Sequence, residues 1–74
     1  MKKEKVREYF ELVQVVYWPD TPQVAVYALT PYKIHWFGEK WWEIGAVIEA
    51  AAKMGGSVED AIEFLTKLGV EWED

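Results

Sequence analysis

Five tryptophans stand in 74 residues, three of them inside the run Ile34-His35-Trp36-Phe37-Gly38-Glu39-Lys40-Trp41-Trp42, and the chain has no cysteine. A domain of this length lies near the size at which a single core is marginal, burying only about 60% of the surface its unfolded chain exposes. With no disulfide to help, cohesion has to come from large side chains, and aromatic rings bury the most surface per residue. The tryptophan cluster is therefore read first as core and second as a docking surface.

Residues 1–74 are read as one domain, and 51% hydrophobic with 28% charged residues is a folding composition rather than a disordered one. The lack of cysteine excludes disulfides, thiolate metal sites and cysteine nucleophiles together, and points to a cytoplasmic setting. The charged start Met1-Lys2-Lys3-Glu4-Lys5 is not followed by an apolar stretch, so no signal peptide is expected. No membrane span is expected either, since the apolar stretch Ile44–Ile48 ends at Glu49, far short of the roughly 20 residues needed. Asparagine is absent, glutamine occurs only at Gln14 and Gln23, and Ser57 is the sole serine, a profile that both a thermophilic host and a designed chain without natural function produce.

The net charge of −5 is unevenly placed. Residues 1–40 carry six basic and five acidic side chains, and residues 41–74 carry two basic and eight acidic ones. Lys2, Lys3, Lys5 and Arg7 are interleaved with Glu4 and Glu8, a poor footprint for phosphate backbones, so nucleic acid is not the expected partner. An acidic half suits a basic protein surface instead.

Turn chemistry at Trp18-Pro19-Asp20-Thr21-Pro22, between the Val- and Tyr-rich flanks Leu12–Trp18 and Gln23–Leu29, predicts a β-hairpin. Pairing Trp18 with Gln23 puts both glutamines on one side and leaves Val13, Val15, Tyr17, Val24, Val26 and Ala28 as an apolar core face. Val6, Phe10 and Val13 also fit a helical period, so residues 2–10 are read as strand or helix. Thr30-Pro31-Tyr32-Lys33 predicts a second turn and Lys33–Phe37 a third strand. From Glu39 the period becomes helical, with Trp41, Ile44, Ile48 and Ala51 on one stripe, Trp42 off it, and Gly55-Gly56 as the stop. Ser57-Val58-Glu59-Asp60 predicts an N-cap and a second helix through Leu68, with Val58, Ala61, Ile62, Leu65 and Leu68 apolar. Glu49 with Lys53 and Glu63 with Lys67 are read as a solvated helix face. The tail Val70–Asp74 is read as an edge strand or a flap held by Trp72.

The expected architecture is α+β: a three-stranded antiparallel β-meander followed by an αα-hairpin, βββαα, in two layers. Its strand order resembles that of plant and integrase-type DNA-binding domains, whose sheets present arginines outward; this one does not, and no family is assigned.

One histidine without cysteine makes no conventional zinc site, and His35 is read as a polar residue on a sheet face. Ser57 belongs to its helix cap rather than to a dyad with His35. Glu59 and Asp60 occupy the helix start that an anion would use, so Gly55-Gly56-Ser57 is no phosphate loop. No cofactor and no catalysis are expected. Two helices cover one face of a small sheet, which leaves the other as a partner surface carrying Leu12, Val16, Trp18, Tyr27, Leu29, His35 and Phe37, with Trp42 added from the first helix. The expected function is a small acidic, non-catalytic protein-interaction module. It acts as a homodimer, or as a stoichiometric binder or inhibitor, through that face or the acidic helical half. Phages and mobile elements encode small acidic proteins of this kind, although no motif here identifies one. The alternative is a nucleic-acid-associated module, with Trp18, Tyr27 and Phe37 stacking bases while Lys2, Lys3, Lys5, Arg7, Lys33 and Lys40 meet phosphates.

Overall fold

Val13 and Val15 distinguish the two readings of the first third of the chain. A strand places both on one face, whereas on a helix they lie about 200° apart. Val13 is fully buried and Val15 is 76% exposed. The computed structural model describes the backbone of residues 1–17 and 24–73, and the side chains of 1–16 and 28–73. It contains α1 (Lys3–Tyr17), α2 (Val24–Phe37), one turn of 3-10 helix (Gly38–Lys40), α3 (Trp41–Lys53) and α4 (Val58–Lys67). No strand occurs among the described residues, so the α+β class, the βββαα order and the exposed sheet face are all replaced by an all-α fold. The turn expected at Trp18–Pro22 lies outside the described residues.

The helical period wins over local β-preference because the apolar positions of α1 make a continuous stripe. Val6, Tyr9, Phe10 and Val13 are buried, and Leu12 and Val16 pack partly buried against them. Propensities for Val and Tyr span only about 1 kcal/mol each and are overridden when such a stripe finds a partner. The corresponding stripe of α2 is Leu29, Lys33, Trp36 and Phe37, hidden in the sequence because a lysine occupies a core position.

Thr30-Pro31-Tyr32-Lys33, expected as a turn, lies inside α2. Pro31 has no N–H to give the helix and is held in place by the tertiary contacts of Leu29 before it and Phe37 after it. Because its side chain is exposed, Pro31→Ala should raise stability by about 1–3 kcal/mol, most of the helix-interior proline penalty. A hairpin turn at that position would give the opposite sign in chemical denaturation.

The second half follows the sequence closely. α3 ends in a Schellman motif in which Gly56 N–H donates to the Ala51 carbonyl and Gly55 N–H to that of Ala52, with Gly55 at φ +76°. α4 opens on a complete capping box: the Ser57 hydroxyl accepts from Asp60 N–H at 3.3 Å, and the Asp60 carboxylate accepts from Ser57 N–H at 2.9 Å. Ile44, Ile48, Ala51, Ala61 and Leu65 are buried as their periods require.

α1 and α3 form the centre, each packed against every other α-helix. α2 and α4 lie on separate flanks and do not touch among the described residues. The tail is a flap held by Trp72, whose indole N–H donates to the Thr66 hydroxyl at 2.8 Å. The Met1 amine donates to the Glu71 carbonyl at 2.9 Å, and Glu73 N–H donates to the Met1 carbonyl at 3.0 Å. No helix among the described residues is long and apolar enough to cross a membrane.

Candidate functional site

Burying a lysine requires a partner, and Lys33 has one. Its ammonium lies 2.6 Å from Glu49 Oε1, and the phenol of Tyr9 donates to the same oxygen at 2.6 Å. The Lys33 and Glu49 side chains are 9% and 13% exposed, and Tyr9 is fully buried. Glu49 therefore turns inward instead of joining the solvated face read from its spacing to Lys53. The three residues come from α2, α3 and α1 and clasp these helices together. Gly45 makes room for the clasp, since a Cβ there would fall 2.9 Å from Cδ of Lys33. Gly45→Ala, normally worth up to about 1 kcal/mol in a helix, should instead destabilise by about 1–2 kcal/mol through overpacking, measurable as a lower denaturation midpoint.

The outward side of the acidic half is chemically different. Trp41 and Trp42 stack with ring centroids 4.1 Å apart, Trp41 half-buried against the core and Trp42 71% exposed. Trp42 shares the exposed face of α3 with Glu43, Ala46, Ala50, Lys53 and Met54. α4 exposes Phe64 and Leu68 beside Glu63 and Lys67, which pair at 3.3 Å. Glu59 and Asp60 extend the negative charge at its start.

The residues expected on a shared partner face are not brought together. Leu29 and Phe37 are buried in the core, and Leu12 and Val16 are half-buried against it. Among the described residues of that set, His35 and Trp42 are exposed. Trp18 and the side chain of Tyr27 lie outside the described residues. The correction has one cause, the loss of the sheet, because strand alternation and helical rotation sort the same residues onto different sides.

Sequence reasoning did not find the inward pair or the exposure of Met54, Phe64 and Leu68. The spacing Leu29-Lys33-Phe37 carried the signal for a lysine on a buried helix face. Met54, Phe64 and Leu68 were legible only as apolar positions at or near helix ends. Among the described residues no group of histidine, cysteine or carboxylate side chains is arranged to hold a metal ion.

Protein-family models, curated proteins and solved structures offer no match to this chain. The reading of its surface rests on the geometry alone.

Proposed function

We propose that the chain is a small, acidic, non-catalytic protein-interaction module, working in the cytoplasm through its acidic second half, residues 41–74. One observation supports this reading above the others. Four large apolar side chains of residues 41–74 are more than half exposed, Trp42 at 71%, Met54 at 85%, Phe64 at 55% and Leu68 at 63%, in the segment that carries eight acidic and only two basic residues. Apolar side chains bind by desolvation and acidic neighbours select a partner of opposite charge, so the favoured partner is a protein with a basic rim around an apolar recess. Base stacking is less well supported, because Phe37 is in the core and Lys33 is committed to Glu49.

The test is capture by the immobilised chain compared with a Phe64→Asp/Leu68→Asp variant of unchanged helicity. A stoichiometric protein partner that is lost with the variant and released by rising salt is the expected result. Capture indifferent to both changes, or captured material that is released by nuclease, would overturn the reading.

A further inference from the structure

We propose that the outer face of α3 is built to receive a second copy of itself, antiparallel, across a two-fold axis. This inference rests on the reading of the acidic second half as an interaction surface and names the occupant of one part of it.

The exposed face is symmetric in its chemistry about Ile48, the buried residue on the opposite side of the helix. Trp42 and Met54 lie six residues to either side of Ile48, Glu43 and Lys53 five, and Ala46 and Ala50 two. At 100° per residue all six fall within an arc of about 120° centred opposite Ile48. In an antiparallel pair centred there, the end carrying Trp42 and Glu43 meets the end carrying Lys53 and Met54 of the copy, and the reverse holds at the other end.

Each meeting is complementary. Glu43 is opposed by an exposed lysine on a stem long enough to reach it, and the exposed indole of Trp42 is offered a thioether and an ammonium, both favourable against an aromatic ring. In the middle, Ala46 and Ala50 carry only methyl groups and let the two helices approach closely. A parallel arrangement would set Glu43 beside Glu43 and Lys53 beside Lys53, so charge selects the antiparallel one. On this face Trp42 and Met54 are 71% and 85% exposed.

Sedimentation equilibrium on the full chain tests this with two charge reversals, Glu43→Lys and Lys53→Glu, at exposed positions and with helicity followed by circular dichroism. The unaltered chain is expected to be a reversible dimer. Each single variant should weaken self-association at least about tenfold, because both ends of its pair then oppose like charges. Mixing the two variants should restore association as a heterodimer, since every lysine then faces a glutamate. A chain monomeric up to millimolar concentration would overturn the proposal, as would a dimer unaffected by either reversal or variants that do not associate when mixed. A monomer that still captures a protein in a Phe64-dependent way would overturn self-association while leaving the broader interaction reading in place.

Discussion

Glu49→Leu is expected to destabilise the fold by about 3–5 kcal/mol, because it leaves the Lys33 ammonium enclosed without its carboxylate. A 74-residue domain has a total stability of about 4–11 kcal/mol at the usual 0.05–0.15 kcal/mol per residue, so this one change should populate the unfolded state. Adding Lys33→Met should recover most of the loss, since an enclosed ion pair replaced by apolar groups of similar size is often neutral or better. Recovery is incomplete because Tyr9 also donates to Glu49. Urea denaturation of the two single variants and the double gives the coupling energy directly. Additive losses would show that Lys33 and Glu49 do not form the clasp described.

Tyr9→Ala should be comparably severe, at about 3–5 kcal/mol, for a different reason. The ring is fully buried and meets Phe37 edge-on at 5.4 Å and Trp36 edge-on at 6.3 Å. Removing it empties the junction of α1 with α2. Tyr9→Phe keeps the ring and gives up only the hydrogen bond to Glu49, so it should cost about 1–2 kcal/mol. The difference between the two variants separates packing from polarity at one position. Near-equal losses would mean that the hydroxyl, and not the ring, holds the junction.

The boundary between what the sequence disclosed and what it concealed falls near Gly38. Beyond it, capping residues and glycines sit where helix ends demand them, and the Ser57–Asp60 box and the Gly55-Gly56 stop were readable from residue type alone. Before it, the local signals contradicted the tertiary outcome. Pro31 reads as a turn, the Val and Tyr runs read as strands, and a charged residue breaks the apolar stripe of α2. Lys33 becomes intelligible only once Glu49 and Tyr9, sixteen residues after it and twenty-four before, are known to be its neighbours. The expected outer sheet face disappears for the same reason. Trp42 was recognised as lying off the buried stripe, and it is exposed, whereas Leu29 and Phe37 were assigned to an outer face that exists only if strands do.

That α2 and α4 share no contact among the described residues divides the molecule's obligations. The ion pair ties α2 to the central two helices, and among the described residues no salt bridge joins α4 to them in the same way. Substitutions on the two flanks should therefore combine additively. A lineage or a designer is free to rewrite what α4 displays without disturbing the bond that secures the opposite wall.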